Sequence, residues 1–303
     1  MSKIITVFGA TGNQGGSVIR YILADPVLSK EFKIRGITRD TSKPSAKALA
    51  EKGVEVVTAD MNSTASIAAA LKDAHTVFLV TNFWEVFSKD IEYNQGKNVA
   101  DAAKAAGVSH IIFSSLINVT EASGGRLSHV AHFDGKAEIA KYIEQIGLSA
   151  TFVLPGYFMS NFEQALKKEE DGSYSLYIPL GEKAQFPLFD VADTGKFVTA
   201  AIKNYPTTIG KNLYAAADYY TPNRIVSEFT EVTGIPAKVV RIDEATYKSF
   251  LPAPVAQELY ENHLLLEEPG YYAGASLGES IGLLEQKPTS WKEFLGKSAV
   301  FKK

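Results

Sequence analysis

The sequence predicts an α/β fold: a doubly wound parallel sheet covered by helices on both faces, with a smaller, mostly helical C-terminal domain. Three observations predict it. Short apolar runs alternate with helical patterns from the N-terminus to Pro155. That alternation is the signature of parallel strands joined by crossover helices. Gly9, Gly12 and Gly15 fall at G-x-x-G-x-x-G spacing between the first apolar run and the first helical pattern. From about Thr221 the alternation ends and helical patterns dominate.

The elements follow in order. Ile4 to Phe8 is a buried strand, and Val18, Ile19, Tyr21, Ile22 and Leu23 supply the apolar face of the next helix. Phe32 to Arg39 is a second strand, Ala46 to Lys52 a short helix, and Val54 to Asp60 a third strand. A helix over Ser63 to Leu71 precedes the strand His75 to Val80, which ends in Thr81-Asn82-Phe83-Trp84. A helix over Ile91 to Ala106 leads to the fifth strand, Ile111 to Ser115. After a polar loop, a helix continues through Glu138, Ile139, Tyr142 and Ile143 to the strand Ala150 to Leu154. Lys167 to Ser173 reads as a charged surface segment, and Asp193 as the cap of a further helix. Thr221-Pro222 opens a helix with proline in its first turn, and Val239-Val240 is a short strand. Helices are expected over Glu244 to Phe250, Val255 to Leu266 and Trp291 to Leu295, the last with Ser290 and Glu293 at capping-box spacing. This organisation places one domain over residues 1–155, completed by about 186–218, and a smaller one over 156–185 and 219–303.

Composition narrows the function classes. The chain has 303 residues, 46% of them hydrophobic, enough for a large core. A formal charge of -3 gives no footprint for nucleic acid or for an anionic membrane. Without cysteine, disulfides, thiolate catalysis and cysteine-ligated zinc are excluded. The first strand begins within a few residues of the start, leaving no room for a signal peptide. No apolar run approaches the ~20 residues of a membrane span. The expectation is a cytoplasmic protein, with the nucleus as a second location. His75, His110, His129 and His263 lack metal-ligand spacing, and no G-x-S-x-G elbow occurs.

The glycine turn points to an anion site. A strand, a tight turn and a helix with free N–H groups at its start cradle a pyrophosphate in Rossmann-type folds. Ligands in such sheets lie beyond the carboxyl ends of the strands, which here are Gly9, Arg39, Asp60, Thr81 and Ser114. At the end of the second strand an acidic residue binds the ribose 2′-hydroxyl of NAD, whereas arginine accommodates the 2′-phosphate of NADP. Thr38-Arg39, with Lys43 close behind, favours NADP(H); the neighbouring Asp40 leaves room for NAD(H). Asp60 and Met61 would lie beside the adenine.

With these segments in place the chain resembles the NmrA-like family, atypical members of the short-chain dehydrogenase/reductase superfamily. The resemblance is carried by Gly9-Ala10-Thr11-Gly12-Asn13-Gln14-Gly15-Gly16-Ser17-Val18, Thr38-Arg39, Thr81-Asn82-Phe83-Trp84-Glu85, Ala131-His132-Phe133-Asp134-Gly135-Lys136 and Pro155-Gly156-Tyr157-Phe158. It implies an NAD(P)-binding fold whose better-known members act as redox sensors and regulators of transcription or signalling. By position it places the pyrophosphate at Gly9, Thr11, Gly12, Asn13, Gln14 and Gly15, and the 2′-phosphate at Arg39 and Lys43. Thr81, Asn82 and Phe83 would line the middle of the dinucleotide. Lys136, Tyr157 and Phe158, followed by Ser160 and Asn161, would lie towards the nicotinamide. Some relatives carry a cofactor-contacting lysine where this chain has Asn94.

Active short-chain reductases use a Y-x-x-x-K pair on one helix face, the tyrosine giving a proton and the lysine binding the ribose. Here His132 stands at the tyrosine position, with Lys136 four residues later and Ser114 or Ser115 as the strand-end serine. Two readings follow. In the favoured one the protein senses NADP(H) and regulates through a protein partner, a transcription regulator or a metabolic enzyme, as a monomer or homodimer. In the alternative it is an NADPH-dependent reductase of quinones, enones or similar small substrates, with His132 or Lys136 as the proton donor.

Overall fold

The computed structural model describes residues 2–301. Six strands occur in the expected order: β1 (Lys3–Val7), β2 (Phe32–Thr38), β3 (Glu55–Thr58), β4 (Ala74–Leu79), β5 (His110–Ser114) and β6 (Ala150–Pro155). A later strand, Asn212–Ala215, joins them outside β6. The resulting seven-stranded sheet runs Asn212–Ala215, β6, β5, β4, β1, β2, β3, and every pairing in it is parallel. The chain leaves β1 on one side to build β2 and β3, then returns to its other side for β4. That reversal opens a crevice at the carboxyl ends of β1 and β4.

Both faces of this sheet are covered, and the side-chain period of two divides the core accordingly. Val77 and Leu79 of β4, with Ile111 and Phe113 of β5, belong to one buried apolar cluster. Phe78 and Ile112, between them in sequence, belong to the other. The helix Asn13–Ala24 packs on Thr194–Lys203 on the second face. On the first face Lys89–Ala105 packs on Ala131–Gln145.

Two small three-stranded sheets complete the chain. Tyr157–Phe158, Phe186–Phe189 and Asp218–Tyr220 form one. Leu166–Lys168, Tyr174–Ile178 and Ala237–Arg241 form the other. The charged segment Lys167 to Ser173 is therefore half of a hairpin, its lysines exposed and its turn closed by Gly172 in the left-handed region. Helices Pro222–Thr233, Glu244–Ser249, Ala253–Leu264 and Trp291–Lys297 dominate the remainder. Ser290 and Glu293 form the capping box that their spacing predicts, and Thr221 caps Arg224 N–H.

Asp193 is a correction. It stands at the helix start but does not cap it: its buried carboxylate accepts from Thr289 N–H at 2.5 Å and pairs with Lys196 at 2.9 Å. A short 3-10 turn, Val191–Asp193, precedes the helix, and Asp190 caps that turn instead. Asp193 is thus free to anchor the C-terminal segment. Among the described residues no helix is long and apolar enough to cross a membrane.

Candidate functional site

The first loop is built by close approach. Gly9 adopts φ +64°, which lets the chain turn sharply out of β1, and Gly12 N–H bonds back to Gly9 O at 2.9 Å. A Cβ on Gly15 would lie 2.3 Å from Gly9 O, so no larger residue fits there. Gly12 starts the helix Asn13–Ala24 and brings no side-chain cap. The first N–H groups of that helix stay open, and Gly9, Thr11, Gly12 and Asn13 are exposed with Gln14 half-buried. An anion fits this cradle on both counts, free donors and absent side chains.

The other strand ends line the same edge. Arg39, beyond β2, forms an ion pair with Glu85, which follows β4. Because β1 lies between β2 and β4, this pair arches across the crevice mouth. Lys43 is exposed at the start of the helix Pro44–Ala50. Asp40 is turned onto Ser42, whose hydroxyl and N–H hold its carboxyl below the usual range. Asp60, beyond β3, accepts from Asn62, and Met61 is half-buried with its carbonyl bonded by Asn98. Ser114 at the end of β5 donates to Gln14 Oε1 at 2.8 Å, tying β5 to the glycine turn.

The middle of the crevice is occupied by charge. Lys136, on Ala131–Gln145, is 9% exposed and ion-paired to the fully buried Glu92. Thr81 Oγ1 donates to Glu92 Oε1 at 2.6 Å and accepts from Lys136 Nζ at 3.1 Å. Burial pushes the lysine below its ordinary pKa, and Glu92 opposes that shift. The two helices approach closely at glycines: a Cβ on Gly96 would strike Ile139, and one on Gly135 would meet Lys89 and Glu92. Ser115 donates to the backbone carbonyl of Lys136 at 3.3 Å.

His132 lies one turn earlier on the same helix, packed against Phe83 and Trp84 with ring centroids 5.9 Å and 4.8 Å away. Its Nδ1 is 2.6 Å from Glu258 of the helix Ala253–Leu264. Burial lowers its pKa, with Glu258 pulling the other way. Phe83 is buried, whereas Asn82, Trp84 and Phe87 are exposed. Tyr157 and Phe158 follow β6, half-buried; burial raises the Tyr157 phenol to about 12. Ser160 is half-buried and Asn161 exposed just beyond them.

The structure thus brings Gly9, Arg39, Asp60, Thr81, Ser114 and Lys136 to the carboxyl ends of the main sheet, and beside Lys136 and His132 stand two carboxylates that sequence reasoning missed, Glu92 and Glu258. A signal for Glu92 existed: it falls on the apolar stripe of its helix with Gly96, Val99, Ala100 and Ala103. Asn94, the position singled out by resemblance, is exposed. Glu258 left no comparable signal. A cavity of about 440 Å³ lies elsewhere, between Tyr21, Asp25, Lys196 and Glu285. Among the described residues no cluster of three or more His, Asp or Glu side chains could hold a metal.

Sheet order, switch point and glycine turn define a Rossmann-type protein of the doubly wound class. The sequence model of the NmrA-like family matches residues 1–295, and the chain belongs to that family. An NmrA-like family domain-containing oxidoreductase of Malbranchea aurantiaca is 32% identical over 270 residues, covering 84% of this chain and 78% of the relative. An NmrA-like family domain-containing protein of Dictyostelium discoideum is 30% identical over 310 residues, 98% of each chain. Among solved structures, NmrA, a negative transcriptional regulator in complex with NADP, superposes with a TM-score of 0.81 at 21% identity, covering 98% of this chain and 95% of that one. An NADPH-dependent quinone oxidoreductase from Escherichia coli, complexed with NADPH, gives 0.78 at 23%, covering 96% and 98%.

Proposed function

We propose that this chain binds NADP(H), with NAD(H) as a weaker ligand, and acts as a dinucleotide sensor that works through a protein partner. One observation carries the reading: the cradle for the dinucleotide is open, while both groups placed to move a proton are held by carboxylates. Lys136 is committed to Glu92 and Thr81, and His132 to Glu258. The Gly9 to Gly15 turn would hold the pyrophosphate, Arg39 and Lys43 the 2′-phosphate, and Lys136 the ribose beside the nicotinamide. Bound NADPH would supply a hydride. The protein's own part is to bind and orient it, with Phe83 and the buried Thr81 closing the middle of the site to water. Solved neighbours in complex with NADP, NAD and NADPH support the choice of ligand.

A second reading, an NADPH-dependent reductase of quinones, enones or similar acceptors, is favoured by the Malbranchea aurantiaca relative, whose name calls it an oxidoreductase. One experiment separates the two. NADPH consumption is followed against quinones, enones, imines and aldehydes, with binding measured in the same cuvette. Firm binding without turnover supports the sensor. Turnover lost on changing His132 or Lys136 overturns it in favour of the reductase.

A further inference from the structure

The buried stripe of Lys89–Ala105 runs Glu92, Gly96, Val99, Ala100 and Ala103. Four of these are small or apolar, and the fifth is a carboxylate with no exposure at all. Its Oε1 accepts from Thr81 and from Lys136, while Oε2 is buried without a partner. An unfilled buried carboxylate oxygen costs stability that an apolar residue would not. Packing therefore gives no reason for Glu92, and the reason must lie with the group it holds.

An ammonium has three N–H donors. Glu92 and Thr81 take two from Lys136, and one remains for a ligand at the strand ends. We propose that Glu92 is a positioning residue: it holds the Lys136 ammonium against Thr81 with one N–H left for a ribose hydroxyl of the dinucleotide. This rests on the reading of Lys136 as a cofactor ligand.

The charged neighbours leave this task to Glu92. On the lysine's own helix His132 is held by Glu258, and Asp134 is turned onto the N–H groups of Val119 and Thr120. On the facing helix Lys89 pairs with Glu138. Among the described residues Glu92 is the one carboxylate in contact with the Lys136 ammonium. Without its charge, burial acts unopposed on the lysine, which then loses its proton at a lower pH. Dinucleotide affinity would fall as pH rises.

The test is titration of the full chain with NADPH, followed by nicotinamide fluorescence, with thermal melts of the free protein. The variants are Lys136→Met, Glu92→Gln, Glu92→Asp and the double change Glu92→Leu with Lys136→Met. Each of the first two should weaken NADPH by about ten-fold or more, and the double variant no further than Lys136→Met alone. As pH is raised, Glu92→Gln should lose affinity at a lower pH than the wild type does. A purely structural glutamate would lower the melting temperature without adding that pH dependence. If Glu92→Gln does not fold, Glu92→Asp carries the test, with intermediate affinity expected and wild-type affinity overturning the proposal. Loss of affinity in Lys136→Met with wild-type binding in Glu92→Gln refutes the positioning role and spares the lysine. Wild-type affinity in Lys136→Met refutes both.

Discussion

Glu258 Oε1 accepts two bonds from one residue 126 positions earlier: the backbone N–H of His132 at 2.9 Å and its ring Nδ1 at 2.6 Å. The first bond satisfies a donor in the opening turn of Ala131–Gln145, where Val130 offers no side-chain cap. The second puts the ring proton on Nδ1, since a carboxylate only accepts. The neutral imidazole is then left with an acceptor at Nε2, so in this state His132 takes a proton rather than giving one. That is a poor substitute for the tyrosine of an active reductase, and it is the main chemical support for a sensing role. Glu261 repeats the arrangement at His129, accepting its N–H at 2.8 Å.

Removing the Glu258 acceptor should therefore destabilise the fold. Glu258→Ala leaves a buried N–H and a buried ring donor unpaired, at about 1–3 kcal/mol. Glu258→Gln retains an acceptor oxygen and should cost less. Denaturant midpoints order the three proteins as wild type, Gln, Ala; identical midpoints would contradict the bond.

Adjacent glycines in the first turn should respond in opposite ways. Gly15→Ala places its Cβ 2.3 Å from Gly9 O and 2.6 Å from Gly9 C, so the turn must open, with loss of both melting temperature and dinucleotide affinity. Gly16→Ala meets nothing closer than Ala10 O at 3.6 Å. There the helix gains up to about 1 kcal/mol from the better helix former. Thermal melts and NADPH titrations of the two variants make the comparison; equal behaviour would mean that the close approach at Gly15 is not real.

The expected preference for NADP(H) over NAD(H) is argued from Arg39. Arg39→Asp should weaken NADP(H) more than NAD(H), because only the former carries the 2′-phosphate that a guanidinium binds. Glu85, its partner across the crevice, competes for the same guanidinium, so Glu85→Gln should shift the preference further towards NADP(H). The exposed pair is weak, and the shift should be at most several-fold, in keeping with about 1 kcal/mol or less. Dissociation constants for both dinucleotides decide it. Equal losses in Arg39→Asp would remove the basis for the preference.

The sheet was legible because its strands are buried on both faces and bounded by helical patterns, so hydrophobic runs mark them directly. Of the strands in the small sheets only Ala237–Arg241 was, through Val239-Val240. Tyr157–Phe158 and Leu166–Lys168 are too short to show a period, and their partners lie far along the chain. Asn212–Ala215 joins the main sheet through residues that sequence pattern does not single out. The site's framework was legible where one residue type meets one demand, as at Gly15, where a Cβ would strike Gly9 O. It was not where function depends on a pair. Glu258 meets His132 only after the C-terminal helices have folded back, and no local spacing encodes that contact. Asp193 went astray for the same reason: Thr289, almost a hundred residues on, outcompetes its own helix for the carboxylate.

Acid should destabilise the protein as its buried histidines are forced to take up protons, and His110 supplies the sharpest test. It is buried at the amino end of β5, away from the crevice, with Nε2 2.9 Å from Thr151 Oγ1. The threonine gives its own proton to Thr208 O at 2.9 Å, so the histidine Nε2–H is the donor. Burial lowers its pKa from 6.5 to about 4. Between those values the unfolded chain binds a proton that the folded chain does not. Stability is then complete above the unfolded pKa and falls as pH drops towards the folded one, by up to about 1.4 kcal/mol per pH unit for each such group. Burial lowers His132 and His263 as well, and they add in the same direction. Asp25 and Asp101, held below 3.8, contribute only under that value. His110→Gln keeps a neutral donor for Thr151 and removes the proton uptake. Urea unfolding from about pH 7 down to about pH 4 should give a shallower decline for this variant than for the wild type. Parallel declines would mean that His110 is not held neutral in the folded protein.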